Sequence, residues 1–215
     1  MAGIVLAFFE KNNKIIQWIY SNILSTKFEN RIEMLKKIIP VNGVYAELGV
    51  FDGAFSREII DTLNPKSLIL IDYFQGAIGS GDQDGNNFHT IDLNKKYYEL
   101  LKQYKNQSSI KIIKGDSTEE LNKFSNNYVD MIYIDADHSY EGCKKDLNVA
   151  YKKIKNGGWI LGHDYSFNPK KTKNKWDFGV KRAVDQFCIK HQLCINAKAL
   201  DGCVSYGIQI VGKEL

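Results

Sequence analysis

Val44-Tyr45-Ala46-Glu47-Leu48-Gly49-Val50-Phe51-Asp52-Gly53-Ala54-Phe55-Ser56 is the stretch on which the fold turns. A short apolar run ends in an acid and a pair of glycines, and helical spacing follows. Glycine is used where φ must turn positive or where a ligand nears the backbone, so the stretch reads as a strand, a glycine turn and the start of a helix. Outward from it the alternation repeats. Ser67–Ile71, Ile110–Ile113, Val129–Ile134 and Trp159–Leu161 are further apolar runs separated by helical stretches. Continuous apolar strands of this length belong to a parallel sheet covered on both faces.

Upstream, Ile15, Ile16, Ile19, Tyr20, Ile23 and Leu24 predict an amphipathic helix from about Glu10 to Ser25. Ile32, Leu35, Ile38 and Ile39 predict a second one, stopped by Pro40 and Asn42-Gly43. Residues 1–42 are thus expected to be an N-terminal helical extension whose apolar faces, with Trp18 and Phe28, cover the cofactor or build an oligomer. Residues 43–215 form the main domain. Downstream, Val180, Ala183, Val184, Phe187, Cys188 and His191 share a helical face. Strands near Leu193–Ala197 and Ser205–Val211, with Asp201-Gly202 between them, predict an antiparallel hairpin at one sheet edge. The expected architecture is α/β: a doubly wound, mostly parallel sheet of seven strands with that C-terminal hairpin.

The bulk properties narrow the partners. Lys and Arg (29) only slightly outnumber Asp and Glu (25), and the two signs are interleaved along the chain, so a net charge of +4 does not call for nucleic acid. The apolar run Gly3–Phe9 is too short to cross a bilayer and no later segment is apolar enough, so no membrane partner is expected. Cys143, Cys188, Cys194 and Cys203 form no CxxC pair, which fits reduced thiols and a cytoplasmic location. Cys188, His191 and Cys194 read as buried helix-face and strand residues rather than as metal ligands.

Ligands of open α/β sheets bind beyond the carboxyl ends of the strands. Glu47, Asp72, Asp116, Asp135 and Asp164 close five successive strands. One such acid could simply cap a helix; five on one rim suggest a bound cation or a hydroxyl-rich ligand, because clustered carboxylates repel one another. The turn Gly49-x-x-x-Gly53 is not the GxGxxG of a dinucleotide site, since Phe51 stands where the second glycine would be, and Glu47 and Asp52 would repel a diphosphate. A ligand bearing an ammonium and a sulfonium fits better. Asp72 stands where a carboxylate accepts from a ribose diol, and Asp116 with Ser117, in "KGDS", could meet an adenine amino group.

At this point the sequence resembles the class I S-adenosylmethionine-dependent methyltransferases. More narrowly it is similar to the bacterial small-molecule O-methyltransferases grouped with the macrocin and mycinamicin sugar enzymes. The resemblance spans roughly residues 43–190 and rests on "AELGVFDG", "LILIDYFQG", "KGDS", "VDMIYIDADHSYEGCKKDL", "GGWILGHDY" and "FGVKRAVDQF". It implies a Rossmann-like domain in which Glu47, Gly49 and Gly53 contact the methionine part and backbone of S-adenosylmethionine. Asp72 would hold the ribose and Asp116-Ser117 the adenine, with Phe51, Tyr73 and Asp135 also at the cofactor. Asp135 and Asp164 match ligands of a divalent metal such as Mg²⁺, His138 matches a general base with a pKa suited to neutral pH, and His163 is its reserve. Tyr165 departs from the pattern, because related metal-dependent enzymes place an Asp or Asn there. Asp137 or water could substitute, and metal dependence stays open.

The expected activity is methyl transfer to a hydroxyl of a small acceptor by a homodimer or higher homo-oligomer. Residues Tyr73–Asp92 are expected to be a mobile lid, and Asp82-Gln83-Asp84-Gly85 matches a calcium loop poorly. Lys170, Lys171, Lys173 and Lys175, ahead of Trp176, would be a solvated basic loop or a phosphate clamp. Three rivals remain. A nicotinamide-dependent oxidoreductase lacks its glycine motif here, and a base-nitrogen nucleic-acid methyltransferase would carry Asn/Asp-Pro-Pro-aromatic where this chain has "DADH". A non-catalytic binding module would not need acids at every strand tip.

Overall fold

The apolar runs form the central strands of a computed structural model that describes residues 23–80, 89–166, 179–200 and 202–213. Among these residues the elements run β1 (Thr26–Phe28), α1 (Arg31–Ile38), β2 (Val44–Leu48), α2 (Ala54–Leu63), β3 (Ser67–Asp72), β4 (Ala77–Ser80) and β5 (His89–Asp92). Then follow α3 (Leu93–Gln103), β6 (Ile110–Lys114), α4 (Ser117–Asn122), β7 (Val129–Ile134), α5 (Tyr140–Lys153), β8 (Ile154–Ser166), α6 (Val180–His191), β9 (Ala197–Ala199) and β10 (Val204–Gln209). The main sheet has eight strands in the order β1-β9-β10-β8-β7-β2-β3-β6. Strands β6, β3, β2, β7 and β8 are mutually parallel, whereas β10 runs antiparallel to both β8 and β9. The chain order reverses direction across the sheet between β2 and β7, the switch point at which open α/β sheets bind ligands.

Side-chain alternation along the strands divides the core into two layers. Ala46, Leu48, Ile69, Ile71, Ile132 and Ile134 point to one face, where Cys143, Leu147 and Ala150 of α5 and Val184 and Phe187 of α6 cover them. Tyr45, Leu68, Leu70, Met131 and Tyr133 point to the other, under Met34 and Leu35 of α1 and Ile59 and Leu63 of α2. A sheet buried on both faces has no polar side to show, which is why its central strands carry no apolar/polar alternation in sequence.

The structure adds to the expected topology at four places. Thr26–Phe28 is an eighth strand, parallel to β9, with Phe28 buried; three residues are too few to show a period. β8 is 13 residues long, well beyond Trp159–Leu161, because ladder hydrogen bonds to β7 and β10 do not require apolar side chains. The hairpin strand β9 begins at Ala197, where the predicted one ended. Within the stretch expected to be a lid, Ala77–Ser80 and His89–Asp92 pair as an antiparallel ribbon. The predicted helix from Glu10 lies outside the described residues up to residue 22. So do Gly3–Phe9, Trp18, Asp82–Gly85, Lys170–Lys175, Trp176 and Asp201. No described helix is long and apolar enough to cross a membrane.

Candidate active site

Parallel pairing lines up the carboxyl ends of β6, β3, β2, β7 and β8 along one edge, and backbone bonds tie their tips together. Gly49 N–H donates to Ile71 O at 2.9 Å, Gly115 N–H to Asp72 O at 2.9 Å, and Asp135 N–H to Leu48 O at 2.7 Å. Gly49 and Gly53 have φ of +86° and +76°, conformations that disfavour any other residue. A Cβ on Gly49 would come within 2.0 Å of the Asp135 carbonyl oxygen. The glycine turn after β2 therefore rests directly on the tip of β7. Three non-glycine residues on this rim, Phe51, Phe74 and Asp164, also have positive φ, and such strain concentrates where function requires it.

Glu47 is buried, and the Ser56 hydroxyl in the first turns of α2 donates to its carboxyl. Burial pushes its pKa up to about 8 against that hydrogen bond, with Asp135 and Asp72 adding to the rise. Asp72 accepts three backbone hydrogen bonds: Val50 N–H at 2.8 Å and Phe51 N–H at 2.9 Å on one oxygen, and Phe74 N–H at 2.7 Å on the other. In this structure Asp72 holds the glycine turn to β3; a ribose diol would have to share that carboxylate. Asp116 caps α4 through Glu119 N–H at 2.8 Å and takes a hydrogen bond from the Tyr73 hydroxyl at 2.7 Å. Burial raises its pKa, but these hydrogen bonds outweigh that and leave it below the usual range. Tyr73 and Asp116 thus meet across the tips of β3 and β6, and the Tyr73 ring stays 55% exposed beside them. Ser117 turns inward, where its hydroxyl and that of Thr118 donate to the buried Asp146 at 2.7 and 2.9 Å.

At the tips of β7 and β8, His138 Nε2 lies 3.2 Å from Asp135 Oδ1 and 3.0 Å from Asp164 Oδ2. Partial burial works against its positive charge, yet hydrogen bonds to both carboxylates prevail and push its pKa up to about 10. The expectation of a pKa near neutrality is corrected here: with two carboxylates in contact, His138 keeps its proton at pH 7. Burial raises Asp164, but His138 and His163 more than offset this and leave its pKa lowered.

His163 points elsewhere, its Nδ1 at 2.8 Å from Ser205 Oγ. Asp137 accepts from Ser139 N–H at 2.8 Å at the start of α5 and does not join the cluster. The Tyr165 hydroxyl donates to Asp185 at 2.8 Å on α6, so Tyr165 leaves the two carboxylates to each other instead of competing as a ligand. Asp135, His138 and Asp164 each bring one donor atom within 4.8 Å of the others, and His163, Asp164 and Cys203 form a second such group. Two carboxylate oxygens and an imidazole nitrogen are a suitable set for a divalent cation. Cys188 and His191 form no such group among the described residues; His191 packs at a tilt against Tyr151, with ring centroids 4.0 Å apart.

The model of the methyltransferase-domain family matches residues 46–165, the segment from the middle of β2 to the end of β8 that carries all of these tips. The chain belongs to the methyltransferase-domain family. An uncharacterized protein of Acanthamoeba polyphaga mimivirus is 28% identical over 121 residues, which are 56% of this chain and 51% of that one. The chain therefore spans about half the length of that relative. Among solved structures, the O-methyltransferase NovP superposes with a TM-score of 0.58 at 17% identity, over 84% of this chain and 79% of its own. Fibrillarin from Aeropyrum pernix, solved with natively bound S-adenosyl-L-methionine, superposes with a TM-score of 0.57 at 14% identity, over 82% and 72%. At such identities the likeness is one of fold.

Sequence reasoning missed the partners of this methyltransferase domain rather than its rim. Ser56, Ser205, Cys203 and Asp146 bind rim residues from distant elements, with separations of up to 42 positions. Of these only Ser56, one helical turn past the glycine turn, carried a local signal.

Proposed function

We propose that the protein transfers the methyl group of S-adenosylmethionine to a hydroxyl oxygen of a small acceptor, in keeping with a cytoplasmic small-molecule enzyme. One observation carries the reading: the glycine turn that would receive the methionine part is in backbone contact with the strand tip that bears Asp135, and His138 and Asp164 close on the same point. A donor in the turn and an acceptor at the carboxylates would then be neighbours, as in-line displacement requires. Glu47 would supply polarity beneath the methionine part, and Asp72 the edge facing the ribose. The exposed Tyr73 ring, with Asp116 fixed beside it, offers a face and an acceptor to the adenine.

The S–CH₃ bond breaks as the O–CH₃ bond forms, and the hydroxyl proton must leave. His138 takes it at Nε2 when neutral. Its two carboxylate partners keep it charged, so it becomes a base only when those carboxylates are engaged elsewhere. Asp135 and Asp164 would hold a divalent cation such as Mg²⁺, which when bound would neutralise both and lower the pKa of a hydroxyl beside it. Tyr165, turned to Asp185, does not obstruct that pair.

Calorimetric titration of the full chain with S-adenosylmethionine tests the reading. Uptake of one equivalent is expected, made weaker by Asp72→Ala; a trace without saturable heat would overturn it.

A further inference from the structure

Two lysines are buried among the described residues, Lys153 at 5% and Lys198 at 8% exposure. They differ in what meets the ammonium. Lys153 donates to the Phe124 carbonyl at 2.7 Å and to Asn126 Oδ1 at 2.9 Å, as a buried charge should. Lys198, in the middle of β9, has no hydrogen-bond acceptor for its ammonium among the described residues; its Nζ lies 4.7 Å from the centroid of the Tyr165 ring. The ring face attracts a cation but takes up none of its N–H donors in the way an oxygen does.

The surroundings add charge of the same sign. Lys181 on α6 sits 4.9 Å from the centroid of the same ring, and Lys27 of β1 is the direct pairing neighbour of Lys198. Among the described residues Asp185 is the carboxylate that acts on Lys198, and it already accepts from Lys181 and from the Tyr165 hydroxyl. Burial, then Lys181 and Lys27, hold the Lys198 pKa below the usual lysine range. Lys181 and Lys198 thus lie on one ring beside a single carboxylate, with Lys27 paired to Lys198, and the more buried ammonium donates to no oxygen among the described residues. The place matters too. β9 runs parallel to β8 because both are antiparallel to β10, so Lys198 stands one residue from the carboxyl end of its strand, on the edge that holds Asp164. Tyr165, the ring it covers, directly follows Asp164.

We propose that Lys198, with Lys181 at the same Tyr165 ring, is an anion-binding subsite for the methyl acceptor. It would take a phosphate or carboxylate group on the molecule whose hydroxyl faces Asp135 and Asp164. The inference rests on the acceptor reading above and narrows it to acidic acceptors. A sugar hydroxyl could fill the space, but only an anion answers the surplus charge.

Calorimetry of the full chain with inorganic phosphate and, separately, with acetate is the test. Saturable uptake is expected, and the stronger of the two titrations tells a phosphorylated acceptor from a carboxylated one. Lys198→Met should weaken it about tenfold or more, and Lys181→Gln by a smaller factor of about threefold, while both variants take up S-adenosylmethionine as before. Failure of both anions to titrate, because the chain's own carboxylates already match the ammonium, would overturn the proposal. So would wild-type anion affinity in Lys198→Met. Should Lys198→Met not fold, unchanged affinity in the exposed variant Lys181→Gln overturns it equally. Cofactor uptake without anion uptake removes this inference alone, whereas absent cofactor uptake removes the reading beneath it.

Discussion

His138 and Glu47 carry opposite ordinary charges, yet the fold makes both hold a proton at neutral pH. For His138, whose folded pKa of about 10 exceeds its ordinary 6.5, the ion pairs stabilise the fold fully below pH 6.5 and fade as pH rises through 10. Glu47, raised from 4.5 to about 8, is buried at least cost below pH 4.5 and disfavours the fold increasingly as pH climbs to 8. Both therefore make stability fall on the alkaline side, each with a limiting slope of about 1.4 kcal/mol per pH unit. Urea midpoints measured from pH 5 to pH 10 should decline in the wild type. Glu47→Gln, which keeps the shape of the protonated acid, should flatten the decline below pH 8. An unaltered slope in that variant would mean that Glu47 is ionised in the folded protein. On the activity side, His138→Ala should lower turnover about a hundredfold with S-adenosylmethionine affinity nearly unchanged, read by initial rates and calorimetry together. Equal turnover would leave His138 as a clasp between Asp135 and Asp164 and nothing more.

Among the elements, the connection between β2 and α2 bears the most constraint. Its glycine turn is held from below by the β7 backbone and from the side by Asp72, which accepts from Val50 and Phe51. Gly49→Ala would have to move the Asp135 carbonyl or distort a turn that needs positive φ. We expect a loss of about 2–4 kcal/mol in unfolding free energy, together with loss of cofactor uptake, because the same displacement shifts Asp135. Denaturant unfolding and calorimetry check the two effects separately. A stable Gly49→Ala variant that still takes up the cofactor would show that the turn has room the geometry denies.

For the whole molecule, α1 is continuous with the core. Met34 and Leu35 are fully buried and belong to the same cluster as Tyr45, Ile59 and Leu70. Leu35→Ala should therefore lower global stability by about 2–5 kcal/mol in a single unfolding transition; an unchanged main transition would make α1 a separately docked piece. Much of this organisation was legible in the chain. Five apolar runs, each ending in an acid, and one glycine turn at the first of them were enough to foresee a parallel sheet and the rim where ligands gather, because strand burial and φ preferences are local and leave a local pattern. His138 and Asp135, three residues apart on one loop, were legible for the same reason. The three-residue strand β1 was not, nor were the Ser205 and Lys198 environments. Two quantities that bear on the chemistry, the proton held by His138 and the surplus charge beside Lys198, draw on groups well apart in sequence, Asp164 lying 26 positions from His138 and Tyr165 33 from Lys198, that folding brings within a few ångströms. Residue type decides which charges a chain carries. Their protonation and their partners are set by burial and distance, and those exist only once the sheet has assembled.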